Sequence, residues 1–289
     1  MEEGQVDRMR LTVLVDDSKN PLKPELEAKH GLSMFIELRA GKRITSLLMD
    51  TGQSADIVSR NAEKLGVDLA RVDAILLSHG HYDHSGGLLG ILGHINKAVP
   101  IMAHPSAFEQ KFASKRRGLK KVGVPFGPSE IERSNGMLSL SRDPKRLSPG
   151  TWVSGEIERV VPFEEVKGFK AGRRGKLVDD QVLDDQALFV DVRGKGLVVI
   201  TGCAHAGLIN TVVQGLRVTG SKDVHAIVGG FHLLDASAAR MRATIRELQR
   251  IDPRAVMPCH CTGRKAIRKL AEAFGEKCRQ LRTGDVVTF

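Results

Sequence analysis

Runs of apolar residues alternate with polar or glycine-containing breaks along most of the chain. In the N-terminal part, residues 9–15, 32–38 and 44–49 are rich in strand-forming residues and are separated by turn-forming residues, which predicts three strands. Residues 57–65 have the apolar spacing of a helix, and Gly66 follows as its C-terminal cap. The chain therefore begins with a strand-rich segment.

The rest of the chain predicts strands that mostly alternate with helices. Strands are predicted at residues 74–77, 99–103, 151–161 (one or two strands), 187–192, 197–201, 224–228 and 255–257. Helices are predicted after the loop that follows residue 77, to about residue 95, and at 106–112, 208–216, 236–250 and 264–274. Strand-rich halves flanked by helices predict an α/β (α+β) fold, an αββα sandwich of two mixed sheets with outer helices.

Two basic stretches interrupt this pattern. Residues 113–150 combine a run of lysine and arginine with repeated glycine and proline, and residues 164–183 form a second loop rich in lysine and glycine. The first stretch is either a functional insertion such as a lid or a solvated segment. We predict a single domain over residues 1–289, with a basic lid-like insertion at about 113–150.

Side chains of the kind that bind metals follow the strand at residues 74–77. His79, His81, Asp83 and His84 stand within six residues, where the strand gives way to a helix. His79 and His81 can point the same way, because side chains of extended backbone alternate with period two. Asp83 and His84 fall one step further along and can face a second ion. Since imidazole and carboxylate bind zinc, iron and manganese, this loop is predicted to begin two metal sites.

Other predicted strands also end in a histidine or an aspartate. These residues are Asp50, His104, His205, His232 and His260. Strand ends of a layered sheet can converge on one edge, so several such residues indicate one shared metal centre.

The order of these motifs resembles a known family. His79-x-His-x-Asp-His84 is similar to the signature of the metallo-β-lactamase superfamily, and Asp50-Thr-Gly, Thr201-Gly-Cys-Ala-His205 and His260 resemble its further motifs. Other motifs resemble the subgroup of 7,8-dihydropterin-6-methyl-4-(β-D-ribofuranosyl)aminobenzene-5′-phosphate synthase-like proteins. These motifs are His30-Gly-Leu-Ser, Gly155-Glu-Ile-Glu-Arg159, Asp184-Asp-Gln-Ala187, Gly229-Gly-Phe-His-Leu233 and Pro258-Cys-His-Cys-Thr-Gly263.

The resemblance implies a set of metal ligands. It assigns the first divalent metal to His79, His81 and His205, and the second to Asp83, His84 and His260. Asp50 would orient a ligand imidazole from behind.

One position departs from the family pattern. Many members have a bridging aspartate and a histidine upstream of it, whereas residues 164–196 contain no histidine. Either His205 replaces the upstream histidine, or Cys203 takes the bridging position, or both; we favour His205 as the ligand. A thiolate would favour zinc, and iron or manganese are the alternatives.

The implied function is metal-dependent hydrolysis of a phosphate-bearing or cyclic small molecule, such as a pterin-related compound, by a hydroxide that two metals activate. Asp83 could steer the nucleophile or accept its proton. His232 would line the pocket and donate to a phosphate or a leaving group, or else make a structural hydrogen bond. Alternatives on the same fold are a nuclease or RNA-processing enzyme and a di-iron oxidoreductase. A metal-binding protein without activity is the non-catalytic alternative.

Charge and composition narrow the partners. With 44 lysines and arginines against 34 acids, the net charge of +10 favours anionic small molecules or nucleic acid. Aromatic residues make up 4% of the chain, which leaves few platforms for stacking bases and disfavours single-stranded nucleic acid. The basic loops at residues 115–121 and 170–176 are candidate anion-binding segments.

The sequence also predicts where the protein is found. It contains no apolar run of about eighteen residues, so no transmembrane helix and no membrane partner are expected. The N-terminus is acidic and polar, unlike a secretory signal, and a cytoplasmic location with four reduced cysteines is expected.

Overall fold

A computed structural model describes residues 4–116 and 118–289; Met1 to Glu3 and Arg117, a member of the basic run, lie outside the described residues. Within these ranges the strands are β1 (Arg8–Val15), β2 (Ser33–Ala40), β3 (Arg43–Met49), β4 (Ala74–Leu76), β5 (Val99–Ala103), β6 (Gln110–Lys115), β7 (Gly118–Lys121), β8 (Gly136–Leu140), β9 (Lys145–Ser148), β10 (Thr151–Val153), β11 (Phe169–Arg173), β12 (Lys176–Asp179), β13 (Ala187–Val192), β14 (Gly196–Thr201), β15 (Val224–Gly230), β16 (Ala255–Cys259) and β17 (Val286–Thr288). The α-helices are α1 (Ala55–Lys64), α2 (Tyr82–Ser85), α3 (Leu88–Ile95), α4 (Pro128–Arg133), α5 (Leu208–Thr219), α6 (Ala238–Ile251) and α7 (Arg264–Phe274). Short 3-10 helices lie at Leu69–Arg71, Pro105–Phe108, His260–Thr262 and Gly275–Lys277.

The strands form two large mixed sheets and one small sheet. The first sheet has the order β17-β1-β2-β3-β4-β5-β8, with antiparallel hairpins in β1 to β3 and parallel pairing from β3 through β8. The second has the order β16-β15-β14-β13-β10-β9, and β14, β15 and β16 are parallel to one another. The small sheet has the order β12-β11-β6-β7.

The two large sheets pack face to face. Leu47 and Met49 of β3 lie in the same buried cluster as Val198 and Ile200 of β14. Between them in sequence, Leu48 faces the other way and belongs to a second cluster. This alternation is the period of two that places successive strand side chains on opposite faces of a sheet.

Helices cover both outer faces. On the first sheet, Val58 of α1 and Ile91 of α3 share a buried cluster with Leu48. On the second, Val212 of α5 and Leu248 of α6 pack with Phe189 of β13. The predicted αββα sandwich of two mixed sheets with outer helices is therefore confirmed.

One predicted helix is wrong. Residues 106–112 were expected to be helical, but the helical turn ends at Phe108 and Gln110–Lys115 is strand β6. Lys111 and Ala113 of this strand are buried and the intervening Phe112 is half-buried, an alternation with period two. Pairing with β7 and β11 overrides the helical propensity of the segment.

The two basic stretches contain the small sheet. Residues 113–150 hold the end of β6, then β7, α4, β8 and β9, and β8 joins the first large sheet as its edge strand. The second loop, residues 164–183, contains the hairpin β11–β12 rather than irregular backbone. The single domain with a lid-like insertion stays a prediction.

The carboxyl ends of the parallel strands bring polar residues to one edge of each large sheet. Asp50 follows β3, the His79–His84 loop follows β4, Cys203 follows β14, and His260 follows β16. Carboxyl ends of parallel strands lie at the same edge of their sheet, so each large sheet brings its own group of polar residues to this edge. Among the helices of the described ranges, none is long and apolar enough to cross a lipid bilayer.

Candidate metal centre

Three buried histidines form the first donor set. His79 Nε2 and His81 Nδ1 are 2.9 Å apart, and the His205 ring lies 4.7 Å and 5.0 Å, centre to centre, from the rings of His79 and His81. Burial lowers the pKa of His81 to about 4 and the pKa of His79 and His205 well below its usual value. The three imidazoles are therefore neutral near pH 7 and keep a lone pair for a cation.

The second donor set consists of Asp83, His84 and His260. The Nε2 atoms of His84 and His260 are 3.1 Å apart, and Asp83 Oδ2 lies 3.7 Å and 3.6 Å from them. Although burial has the opposite effect, the adjacent His84 and His260 lower the pKa of Asp83, so its carboxylate is ionised. A carboxylate and two imidazoles converging at these distances form a ligand set for a divalent metal.

Carboxylates fix the outer nitrogens of the second set. His84 Nδ1 donates to Asp50 Oδ2 at 2.6 Å, and His260 Nδ1 donates to Asp17 Oδ1 at 2.7 Å. Because each Nδ1 carries a proton that its carboxylate holds, the inward-facing Nε2 is the nitrogen that can offer a lone pair to a cation. Against the effect of burial, Cys261 and Asp17 raise the pKa of His260 to about 10 when no cation is bound, so binding a metal there releases a proton.

Asp50 lies behind the second donor set, in contact with His84. Its carboxylate is fully buried and also accepts hydrogen bonds from Ser78 N and Ser78 Oγ, both at 2.7 Å. Its backbone has φ of +61°, in the left-handed region that few residues other than glycine adopt. This turn at the end of β3 directs the carboxylate at both Ser78 and His84.

Cys203 and His205 occupy different positions. Cys203 Sγ is 3.2 Å from His84 Nε2, and it lies within 4.8 Å of donor atoms of both His79 and His84. Cys203 thus stands between the two donor sets, whereas His205 lies with His79 and His81. Whether His205 serves as a ligand and Cys203 as a bridge stays a prediction.

The donor atoms fit a cation because several of them have no other partner. Within the described residues, both ring nitrogens of His205 and Nε2 of His81 are buried without a hydrogen bond. Buried polar atoms without partners are costly, so their convergence indicates a cation site rather than a packed core. The nitrogen, oxygen and sulfur donors are those of a divalent transition metal.

His232 is close to the first donor set but is not part of the second. Its ring lies 4.1 Å from that of His205, it is half-buried, and its Nδ1 has no partner within the described residues. Its main-chain N–H donates to Cys261 Sγ at 3.3 Å. His232 therefore borders the centre with a free ring nitrogen. His104, by contrast, accepts a hydrogen bond from Ser106 N, which caps a 3-10 turn, and its other ring nitrogen contacts Glu156.

Asp17 and His30 are two further residues at the second donor set that the sequence did not predict as site residues. Asp17 accepts from His260 through Oδ1 and from His30 through Oδ2, the latter at 2.9 Å, and His30 Nε2 is 3.2 Å from Asp83 Oδ2. Burial alone would raise the pKa of Asp17, but hydrogen bonds from the two histidines hold this pKa well below its usual value. The motif beginning at His30 was noted for its resemblance alone, and nothing in it indicated contact with Asp83.

Aromatic and basic residues of the small sheet border the centre. Phe169 of β11 lies 5.0 Å, 5.1 Å and 6.0 Å, ring to ring, from His81, His205 and His232. On β7, Lys120 Nζ is 3.4 Å from the Tyr82 hydroxyl and lies over its ring. The β6–β7 hairpin also approaches the metal loop directly, because Tyr82 N donates to Val122 O at 2.8 Å.

The second basic loop is less available for anions. Lys170 of β11 pairs with Asp179, and Arg173 pairs with Glu109, each at 2.8 Å. These cations are partly neutralised within the small sheet, so the β7 lysines are the better candidates for an anion.

Comparison with known proteins identifies the family. The model of the metallo-beta-lactamase superfamily matches residues 30–260. The chain belongs to the metallo-β-lactamase superfamily. It is 35% identical over 294 residues to the 7,8-dihydropterin-6-methyl-4-(beta-D-ribofuranosyl)-aminobenzene-5′-phosphate synthase of Methanocaldococcus jannaschii, covering 100% of this chain and 99% of that protein. A second protein of that organism, MJ0448, is 32% identical and covers 91% of this chain and 94% of its own length.

Solved structures agree with this family assignment. Tm1679, described as a metal-dependent hydrolase of the β-lactamase superfamily, is 29% identical with a TM-score of 0.80, covering 96% of this chain and 98% of its own. A diphosphatase of the PhnP family has the same fold, with a TM-score of 0.51 and 10% identity, covering 99% of this chain and 98% of its own.

Proposed function

We propose that this superfamily member is a metal-dependent hydrolase with two divalent ions, zinc being favoured over iron and manganese. The observation that carries the proposal is the convergence of the two donor sets, with His84 and His260 oriented by buried carboxylates. Two such ions would supply a nucleophile from water near neutral pH and offset the charge that develops on the substrate. The resemblance to Tm1679, described as a metal-dependent hydrolase, supports this reading.

In this proposal, residues of the chain orient the reactants around the ions. Asp83 is ionised and contacts His30, so its carboxylate can orient the nucleophile or accept its proton. His232 offers a half-buried ring whose Nδ1 has no partner among the described residues and can donate to a phosphate or a leaving group. Phe169 excludes water from one side of the first donor set through its contacts with His81 and His205.

The proposed substrate is an anionic small molecule, phosphate-bearing or cyclic and related to a pterin. Lys120 lies beside the metal loop, and the chain carries a net charge of +10. The ring of Phe169 offers a flat apolar surface of the kind that a planar heterocycle covers. A dihydropterin and a 5′-phosphate are both parts of the compound after which the 35% identical relative is named.

The first experiment replaces His81. We expect His81→Ala to lose metal from the first donor set and to lower turnover at least about 100-fold, more than the loss of an outer partner costs. The far-ultraviolet circular dichroism should stay unchanged, because the fold rests on the sheet and helix cores. Metal content is measured on protein purified without added metal, and turnover on a panel of phosphomonoesters, phosphodiesters and lactones.

A matched control is His94→Ala, which removes an exposed histidine of α3. It should keep both metal and turnover. Full turnover by the His81→Ala protein at wild-type metal content would contradict the proposal.

A second candidate function is synthesis rather than hydrolysis. The 35% identity along the full chain to a synthase favours it. The same two donor sets would then activate a substrate group for transfer, with exclusion of water as the added requirement. Incubation with a dihydropterin and an aminobenzene ribose phosphate separates the two, since a synthase forms a joined product and a hydrolase does not.

Nucleic acid is a less favoured partner. If it were the substrate, binding would weaken steeply with rising salt, because cations of the protein replace counterions of the phosphates. We expect weak binding to single-stranded RNA or DNA at 150 mM salt, measured by fluorescence anisotropy.

A further inference from the structure

Two adjacent buried carboxylates reach the backbone of both loops that carry the first donor set. Asp184 and Asp185 stand just before β13 and are 0% and 1% exposed. Asp184 Oδ2 accepts from Gly80 N at 2.7 Å, and Asp185 Oδ2 accepts from Ala206 N at 2.9 Å. The next residue, Gln186, donates its main-chain N–H to Ser78 O at 2.7 Å.

The main-chain amides that Asp184 and Asp185 bind lie next to the histidines of the first donor set. Gly80 separates His79 from His81, and Ala206 directly follows His205. A hydrogen bond to each of these amides fixes the peptide plane on which a donor histidine sits. The two loops belong to different sheets, so the distance between them depends on what joins them.

Gly80 leaves little freedom on its other side. A Cβ at this position would lie 1.9 Å from the main-chain oxygen of Ala107, so the loop is packed between Ala107 and Asp184.

A buried lysine holds Asp184 in place. Lys111 of β6 is 0% exposed, and its Nζ lies 2.7 Å from Asp184 Oδ1 and 3.0 Å from Asp180 Oδ2. Burial alone would lower the pKa of Lys111, but the two carboxylates raise this pKa, so the lysine stays charged. A buried charge is retained only where its partners are well placed, so Asp184 has one orientation.

We propose that Asp184 and Asp185 are positioning residues that set the spacing of His79, His81 and His205 for the first metal. This inference rests on the proposed metal centre. A carboxylate that only stabilised the fold would affect unfolding and leave metal affinity unchanged. A positioning carboxylate affects metal affinity at the first donor set beyond its effect on unfolding, because misaligned donors bind more weakly.

The chain offers a matched pair of variants. Asp184→Asn and Asp180→Asn each remove one carboxylate from Lys111, but Asp184 alone accepts from Gly80. We expect similar losses in melting temperature of the metal-free proteins. We expect zinc affinity at the first set to fall about 10- to 100-fold in Asp184→Asn and to change less than about threefold in Asp180→Asn.

Zinc affinity is measured by competition with a coloured chelator, and the visible spectrum of the cobalt-substituted protein reports donor geometry at the first set. A shifted cobalt spectrum in Asp184→Asn, with the wild-type spectrum in Asp180→Asn, supports the inference. Equal affinities and equal spectra in the two variants overturn it.

Asp185→Ala provides an independent test should Asp184→Asn fail to fold, because alanine leaves Ala206 N without its side-chain acceptor and Asp185 has no hydrogen bond to Lys111 among the described residues. It should weaken zinc binding by a similar factor, and wild-type affinity in this variant refutes the role of Asp185. A wild-type protein that binds no divalent metal would instead overturn the proposed function and the inference with it.

Discussion

Replacing Asp50 by asparagine tests how the second donor set is oriented. The Asp50 carboxylate accepts three hydrogen bonds, from Ser78 N and Oγ at 2.7 Å and from His84 Nδ1 at 2.6 Å. An asparagine has one acceptor oxygen and an NH₂ group that cannot accept. With the oxygen on Ser78 N, the NH₂ group faces His84 Nδ1, and the proton of His84 moves to Nε2. The nitrogen that faces the metal then has no lone pair.

The expected loss has two parts. A buried donor left without a partner costs about 1–3 kcal/mol in the free energy of unfolding. Loss of the outer partner of a metal ligand costs about 10- to 100-fold in metal affinity, which is about 1.4–2.7 kcal/mol. Because His84 belongs to the second donor set, zinc at the first set should be retained.

Calorimetric zinc titration of metal-free protein measures both affinity and stoichiometry, and urea unfolding measures stability. Ser33→Ala is a suitable control, since Ser33 Oγ donates to the main-chain oxygen of Asp50 and not to its carboxylate. The control should keep wild-type zinc affinity. Binding of two zinc ions with unchanged affinities by Asp50→Asn would refute the argument that Asp50 sets the tautomer of His84.

Three further predictions concern pH, packing and substrate binding. Burial alone would lower the pKa of His260, but Cys261 and Asp17 raise this pKa to about 10 in the metal-free protein. Protonated His260 therefore stabilises the fold fully below the ordinary pKa of 6.5, and this stabilisation is lost as the pH rises toward 10. Urea unfolding of the metal-free protein should show this decline, and His260→Gln should remove it. Leu48→Ala should lower the free energy of unfolding by about 2–5 kcal/mol in the same assay, because Leu48 is fully buried beneath the helices; a loss below 1 kcal/mol would contradict that packing. Lys120→Ala should raise KM for a phosphate-bearing substrate about two- to fivefold at unchanged kcat. Lys195→Ala should leave KM unchanged, because Lys195 precedes β14 and lies at the end of that strand opposite to Cys203.

The sequence predicted the sandwich because its signals are local. Apolar runs in β3, β14 and β15 identify buried strands without knowledge of their partners. The helix prediction is wrong at strand β6 (Gln110–Lys115) for the opposite reason. Its strand character comes from pairing with β11, whose residues lie about sixty positions later, and no local period reports a partner at that distance.

The same distinction applies to the centre. The His79–His84 loop is compact in sequence, so its metal-binding character is readable from spacing. The hydrogen bond between Lys111 and Asp184 joins residues 73 positions apart and depends on the small sheet folding against the metal loop. Likewise, the contact of His30 with Asp83 follows from the packing of two separate turns. Roles that arise from contacts between residues so far apart in sequence cannot be predicted from the sequence alone.

The donor atoms are divided between the two large sheets, and this division couples cation uptake to the mechanical integrity of the sandwich. Asp83 and His84 follow a strand of the first sheet, whereas Cys203, His205 and His260 follow strands of the second. Each ion of the proposed centre would therefore cross-link the edges of both sheets. A ligand that binds the folded chain alone stabilises it by about 4 kcal/mol at a free concentration of about 1,000 times Kd. Chelation should consequently loosen this edge first, so amide hydrogens of residues 78–84 and 203–206 should exchange faster while those at the far end of the sheets keep their protection.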